Sequence, residues 1–247
     1  MTRQEIVIPT TDGAARACLF HPSNRSATSR GAGVVLYMNA FGPRPALASM
    51  AERLAGGGYV VLIPDLFYRF GQYGPFDAKT AFANEATRDQ LMGMIQATSQ
   101  DMTRADSAAF IGALTEAGAG DRIGVVGYCM GGGRALTAAA AYPDRVAAAA
   151  SFHGGRLATD AVDSPHRHVS TIKGRVYVGS AGVDASFPPD QSGRLAEALR
   201  AAEVDHVIEN YVGMAHGWAV PDHTVFDPAG SERHWKRLLT LFEETLS

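Results

Sequence analysis

The stretch around residues 123–139 constrains the fold more than any other part of the sequence. An apolar run at 123–126 leads into Gly-Tyr-Cys-Met-Gly at 127–131, and a helix-forming segment follows at 134–139. In a nucleophile elbow, a strained central residue is held above a sheet, and flanking glycines let the helix approach the strand. The sequence therefore predicts a strand, a tight turn and a helix with Cys129 at the tip. The alternative is a coincidental glycine turn that carries a buried cysteine.

A mostly parallel sheet is predicted from residue 33 onward. Apolar runs at 34–37 and 59–64 flank a helical segment at 46–54, a pattern typical of parallel strands covered on both faces. Earlier runs at 6–8 and 15–20, separated by a turn-rich gap, predict an antiparallel N-terminal hairpin. The fold class is α/β, with helices on both faces of the sheet. Further strands are predicted at 146–152, 175–179 and 206–212, and helices at 101–117, 188–201 and 232–246.

Size and charge exclude several classes of partner. A chain of 247 residues fits one domain, residues 1–247, and a net charge of -3 offers no basic field for nucleic acid or anionic lipid. The start lacks the apolar core of a signal peptide, and no stretch reaches the ~18 apolar residues of a membrane span, so we expect a cytoplasmic monomer or homodimer. Two cysteines are too few for a disulfide framework, and the histidines show no metal-ligand spacing, so we expect no metal and no cofactor.

A cysteine nucleophile needs a base, and chain order selects one. A free thiol is mostly protonated at neutral pH. In chains that carry this elbow, an acid and then a histidine follow the nucleophile, with the histidine on a loop after the last long strand. His216 fits that position, whereas His223 lies in a polar turn beside Pro221-Asp222. His216 is therefore the predicted base.

The predicted acid is Asp184, in the loop after the strand at 175–179. It would accept the proton of one imidazole nitrogen and so orient the other toward Cys129. The alternative is that Asp184 only caps the following helix. For the oxyanion, the predicted donors are the backbone amides of Met130, after the nucleophile, and Ala40, after the strand at 34–37.

Together these motifs resemble the dienelactone hydrolase family. The matching residues are Gly-Tyr-Cys-Met-Gly-Gly at 127–132, Asp184, Ala-His-Gly at 215–217, Phe41-Gly42, Pro-Asp-Leu at 64–66 and Ser-Phe-His-Gly-Gly at 151–155, and the similarity spans most of the chain. The resemblance implies an α/β-hydrolase fold and hydrolysis of a lactone or carboxylic ester through a thioester acyl-enzyme. It also implies a triad of Cys129, Asp184 and His216.

Two positions depart from the family members that open dienelactones. Those members have a Glu where Asn39 stands, and an Arg shortly after the catalytic His, where this sequence has Trp-Ala-Val-Pro at 218–221. Asn39 cannot accept a proton as a carboxylate does, and Val220 cannot bind a carboxylate. An anionic dienelactone is therefore less expected as a substrate than a neutral ester or lactone.

The loop at about 67–84 is rich in Gly, Pro and aromatic residues and follows a strand, so it is a candidate cap over the substrate. Its aromatic rings suit a neutral, partly apolar group, or they simply pack the cap. His153 lines the site or only bonds a loop. The residues predicted to contact substrate are Asn39, Phe41, Tyr68, Arg69, Tyr128, His153 and Trp218.

Two other functions remain open at this level. A chain with this fold could be a ligand-binding or redox-responsive protein that has lost catalysis because position 39 is no longer a Glu. A thioester intermediate could also be taken by acceptors other than water, which would make the protein an acyltransferase or a thioesterase.

Overall fold

The computed structural model describes residues 1–23 and 31–246, and the strands in that part of the chain form one eight-stranded sheet. The strands are β1 (Thr2–Thr10), β2 (Gly13–His21), β3 (Gly31–Tyr37), β4 (Val60–Pro64), β5 (Ala119–Tyr128), β6 (Val146–Phe152), β7 (Arg175–Val183) and β8 (His206–Ala215). The helices are α1 (Pro45–Gly56), α2 (Glu85–Ala97), α3 (Gln100–Glu116), α4 (Met130–Ala141), α5 (Pro189–Ala201) and α6 (Pro228–Leu246). Short 3-10 helices cover Tyr68–Phe70 and Pro165–Thr171.

The sheet order is β1-β2-β4-β3-β5-β6-β7-β8. β1 and β2 form an antiparallel hairpin that closes between Thr10 and Gly13, and β2 also pairs antiparallel with β4. All other neighbouring strands pair in parallel. The predicted α/β class, with a mostly parallel sheet and an antiparallel N-terminal hairpin, is confirmed.

Helices cover both faces of the sheet, as the surroundings of two glycines of β5 show. A Cβ at Gly124 would lie 2.6 Å from the Phe242 ring of α6, whereas a Cβ at Gly127 would lie 1.9 Å from a backbone oxygen of α4. Positions three apart on a strand point to opposite faces. α6 and α4 therefore pack on opposite sides of β5, each closely enough to require glycine.

α2 was not predicted from the sequence. Only Leu91 and Met94 of this helix are buried, so it lacks the apolar stripe by which helices are recognised in sequence. Asn84 caps its first turn by accepting from the Thr87 backbone N–H at 3.0 Å. None of the described helices is long and apolar enough to cross a membrane.

The parallel strands carry the predicted functional residues at one edge of the sheet. β3, β5, β6, β7 and β8 all point their carboxyl ends the same way, so the loops that leave them meet above that edge. The elbow, the Asp184 loop and the His216 loop all leave these ends.

Candidate active site

Cys129 lies between β5 and α4 in a backbone conformation that side chains rarely adopt. Its φ is 57° and its ψ is -121°, and it directly precedes the first residue of α4. A Cβ at Gly131 would lie 2.4 Å from the Tyr37 carbonyl oxygen of β3. Together with the close approach at Gly127, this contact leaves no room for side chains on either side of the cysteine. The predicted elbow geometry is present.

Backbone N–H groups and a histidine converge on the Cys129 sulfur. Burial would raise the pKa of this thiol, but the positive charge and hydrogen bond of His216 lower it. Hydrogen bonds from the backbone amides of Met130 and Ala40 lower it further, and the net pKa is below the usual value. The two amides predicted for an oxyanion hole therefore both hydrogen-bond the Cys129 sulfur.

His216 is held by Asp184. The imidazole Nδ1 lies 2.7 Å from Asp184 Oδ2, so Nε2 is left to face Cys129. Burial would lower the pKa of His216, but the Cys129 thiolate and the Asp184 carboxylate raise it to about 10. For Asp184, burial acts to raise the pKa and the His216 hydrogen bond outweighs it, so the net pKa is low. The two groups thus stabilise each other's charged forms, and the Asp184 carboxylate adds to this for the imidazolium.

Ser186 completes this arrangement and was missed at the sequence level. Its backbone N–H and its hydroxyl both donate to Asp184 Oδ1, at 2.8 and 2.6 Å. These bonds hold Oδ1 of the carboxylate, while its Oδ2 accepts from His216. The helix that follows begins with Pro188 as its cap and has no side-chain cap hydrogen bond, so Asp184 does not cap it.

His153 lies directly beneath Cys129. It is fully buried with φ of 39°, and its Nδ1 accepts the Cys129 backbone N–H at 3.2 Å. Its ring contacts the rings of His216 and Trp218 edge-on, at centroid distances of 5.1 and 5.0 Å. Burial is the main reason that its pKa lies well below the usual value, and the charges of neighbouring histidines lower the pKa further. His153 therefore supports the elbow as a neutral ring.

A cavity of about 520 Å³ opens onto Cys129 and His216. Its apolar wall comes from Phe82 and from Met92 and Ile95 of α2, and its polar wall includes Arg134. Arg134 is 5% exposed and donates through Nη2 to the Thr98 carbonyl, while Nε and Nη1 have no hydrogen-bond partner among the described residues. A buried cation with unused donors therefore forms part of the wall.

No group of metal-ligating side chains that could hold an ion occurs among residues 1–23 and 31–246. A second cavity, of about 630 Å³, lies along the N-terminal hairpin beside Cys18 and Arg44, and neither Cys129 nor His216 lines it. Cys129 and His216 therefore line the first cavity and not the second.

The model of the dienelactone hydrolase family matches residues 15–246. This chain belongs to the dienelactone hydrolase family. A carboxymethylenebutenolidase from Rhodococcus opacus is 28% identical over 228 residues, which cover 90% of this chain and 84% of that protein. Family membership and the α/β-hydrolase fold make the chain a hydrolase.

Two solved structures share the fold. A Klebsiella pneumoniae protein described as a candidate dienelactone hydrolase superposes with a TM-score of 0.85 at 22% identity, covering 98% of each chain. A dienelactone hydrolase-like promiscuous phosphotriesterase from metagenomic libraries superposes with a TM-score of 0.79 at 23% identity, covering 99% of each chain. At this identity the likeness establishes the architecture alone.

None of the seven residues predicted to contact substrate lines the cavity beside Cys129 and His216. Tyr68 and Arg69 bond Asp106, in α3, and Arg69 also pairs with Asp12 in the hairpin turn. Tyr128 is fully buried on the opposite side of β5 and bonds His234 at 2.8 Å. These three side chains therefore do not line the cavity.

The remaining four lie near the loops that carry Cys129 and His216 without lining the cavity. Trp218 is fully buried and stacks on Tyr211 at 4.5 Å, and His153 lies behind Cys129. Phe41 is buried and contacts Phe82, whereas the fully buried Asn39 bonds His223 and Arg44. Of the candidate cap at 67–84, Phe82 is the residue that reaches the cavity wall, because residues 67–70 turn toward the hairpin. α2 supplies the wall instead.

Proposed function

We propose that this chain hydrolyses carboxylic esters or lactones through an acyl-enzyme on Cys129. The observation that carries this proposal is the alignment of Asp184, His216 and Cys129 beneath a cavity, with the amides of Ala40 and Met130 at the sulfur. Acyl transfer needs a nucleophile, a proton carrier and donors for a developing oxyanion, and each is present in one place.

In the acylation step, the Cys129 thiolate attacks the carbonyl carbon. The carbonyl oxygen becomes an oxyanion and takes hydrogen bonds from the amides of Ala40 and Met130. When the carbon–oxygen bond to the leaving group breaks, the His216 imidazolium gives its Nε2 proton to the departing alkoxide. The products are an alcohol, a thioester on Cys129 and a neutral His216. In a lactone the alcohol stays attached to the acyl group.

Deacylation returns the proton. Neutral His216 takes a proton from water as the water oxygen attacks the thioester carbon, and Asp184 stabilises the imidazolium that forms. The carbon–sulfur bond breaks, the carboxylic acid leaves, and the thiolate is restored. The thiolate is a good leaving group because its pKa is already low.

The cavity favours substrates of modest size with an apolar part and an acceptor-bearing part. Its volume falls within the range of ordinary small-molecule sites. The walls from Phe82, Met92 and Ile95 suit an alkyl or aryl group, and Arg134 offers unused donors to an oxygen-rich group. No residue in this scheme requires a cofactor. A free nucleophilic thiol fits a reducing compartment, so the cytoplasm is the proposed location.

The test is intact-protein mass spectrometry during exposure to p-nitrophenyl acetate and to a neutral lactone, with product release followed in parallel. Wild type and Cys18→Ala should both gain a transient acyl mass that decays with turnover, and Cys129→Ala should show neither adduct nor turnover. Turnover by Cys129→Ala would overturn the proposal. Transfer of the acyl group to added alcohols or thiols faster than to water would assign an acyltransferase, and tight binding without any turnover by wild type would assign a ligand-binding role.

A further inference from the structure

Four polar side chains join the loop after β3 to the loop after β8. They are Asn39 and Arg44 on the first loop and Asp222 and His223 on the second, and we call them the bridging network. We propose that the bridging network is a positioning device that holds the Ala40 amide of the oxyanion hole in register with the His216 loop. This inference rests on the proposed function, because it assigns how that site is held together.

Asn39 directly precedes Ala40 and is fully buried with its amide satisfied. Its Oδ1 accepts from Arg44 Nη1 at 2.6 Å and from the Phe41 backbone N–H at 3.3 Å. Both partners are obligate donors, which fixes the orientation of the amide. Nδ2 must therefore donate to His223 Nε2, which lies 3.1 Å away. His223 is then a neutral ring that carries its proton on Nδ1.

Arg44 ties the two loops together more strongly. Its Nε and Nη2 donate to the two carboxylate oxygens of Asp222 at 2.6 and 2.8 Å, and its Nη1 also reaches the Gly42 carbonyl at 3.3 Å. The Arg44 side chain is 10% exposed and that of Asp222 is 34% exposed. A bidentate arginine–carboxylate contact of this kind constrains direction as well as distance.

His223 transmits this constraint to the catalytic histidine loop. A Cβ on Gly217 would lie 2.3 Å from His223 Nδ1, so the ring is seated directly against the residue after His216. On its other side the ring meets Phe41 edge-on, with centroids 5.4 Å apart. One chain of contacts thus runs from the neighbour of Ala40 to the neighbour of His216. A displacement of about 1 Å at such groups costs up to about 100-fold in rate.

Asn39→Asp separates this positioning role from simple packing. The variant keeps the shape but replaces the donor Nδ2 by a carboxylate oxygen, which would face the lone pair on His223 Nε2. Neutral His223 could bond this carboxylate only by moving its proton from Nδ1 to Nε2, whereas a second proton on the ring would bond the carboxylate and keep Nδ1–H as well. In wild type, burial and then Arg44 lower the pKa of His223 to about 4, and the other charged or titratable groups facing it are Asp222, His216 and His153. Wild type therefore needs no such proton.

The new carboxylate should raise the pKa of His223, so we expect Asn39→Asp to acquire a pH-dependent transition that is absent from the wild-type profile. Its kcat for p-nitrophenyl acetate should approach the wild-type value near pH 5 and fall by about 10- to 100-fold by pH 8, with KM changing less. In the double variant with His223→Gln, the Gln amide can donate to the carboxylate without titrating, so the new transition should disappear. Asn210→Asp, which adds the same charge on an exposed position of β8, should follow the wild-type profile.

Two results would overturn the inference. One is a wild-type pH profile in folded Asn39→Asp, and the other is a transition that persists in the double variant. If Asn39→Asp does not fold, nitrogen NMR of histidine-labelled wild type decides instead, because the network requires His223 to be a neutral Nδ1–H ring at pH 6. A charged ring or an Nε2–H ring there refutes it. These readouts are independent of Cys129→Ala, whose retained activity would overturn the proposed function and leave the NMR result standing.

Discussion

Asp184→Asn should uncouple His216 from Cys129 while leaving the shape of the site intact. The Asp184 carboxylate is 3% exposed and lies 2.7 Å from His216 Nδ1, and a buried hydrogen bond between charged groups contributes about 1.5–3 kcal/mol. Because about 1.4 kcal/mol corresponds to a factor of ten, the thiolate–imidazolium pair should lose about 10- to 150-fold in population relative to the neutral pair. The neutral pair attacks carbonyls poorly, so ester turnover at pH 7 should fall by a similar factor.

The direction of the expected shift in the pH profile of Cys129 follows from how the pKa values of Cys129 and His216 depend on Asp184. In wild type the positive charge of His216 lowers the Cys129 pKa, while Cys129 and Asp184 raise the His216 pKa to about 10. Removing the Asp184 charge lowers the pKa of His216 and, through the lost cation, raises the pKa of Cys129. The midpoint of the pH profile for alkylation of Cys129 should therefore move upward by about 1–2 pH units.

The assay is the rate of iodoacetamide alkylation of Cys129 against pH, read by intact mass, together with thiolate absorbance in the ultraviolet. Asp190→Asn removes the same charge from the first turn of α5 and should keep the wild-type profile. An alkylation midpoint in Asp184→Asn that matches wild type would refute the reasoning, because it would mean that the carboxylate does not support the imidazolium.

Three further variants test other parts of the structure. Gly127→Ala should lower the free energy of unfolding by at least about 3 kcal/mol or prevent folding, because its Cβ would lie 1.9 Å from the Gly131 oxygen. Gly93→Ala, at a position of α2 with open space around it, should instead raise the melting temperature. Thermal unfolding measures both effects. Glu209→Gln should lower the free energy of unfolding at pH 7 by about 1–3 kcal/mol in denaturant titrations. Burial would raise the pKa of Glu209, but its hydrogen bonds outweigh burial and lower the pKa to about 2. The stability that Glu209 contributes should therefore be present above about pH 4.5 and lost as the pH falls toward 2. An equal pH dependence of stability in Glu209→Gln would contradict this. Arg134→Met should reduce kcat/KM for a p-nitrophenyl ester with a terminal carboxylate by about tenfold more than for its neutral methyl ester, and an unchanged ratio would remove Arg134 from substrate recognition.

The elbow could be predicted from sequence because its requirements are local. Gly127 and Gly131 are demanded by contacts within a few residues of Cys129 and by the neighbouring strand, so spacing alone reveals them. His216 and Asp184 could be located by chain order after the elbow. Ser186 carried no such signal, since a serine two residues after an aspartate is common in loops.

The residues that line the cavity could not be predicted, because the side-chain direction of a loop depends on what packs against it. Tyr68 and Arg69 lie in the expected loop, yet a 3-10 turn directs them to Asp106 and Asp12 rather than to the cavity. Tyr128 illustrates strand alternation, because it adjoins Cys129 in sequence and faces the opposite side of the sheet.

The parallel α/β architecture could be predicted from the sequence, and so could Cys129, His216 and Asp184 as candidate nucleophile, base and acid, because these predictions follow from hydrophobic periodicity, glycine spacing and chain order. The surroundings of these three residues emerged from tertiary packing. It brought Arg134 and the apolar side of α2 to the cavity, and it joined Asn39 to His223 across 184 positions of sequence. Such contacts depend on how distant loops pack after the sheet has formed, and no local pattern records that.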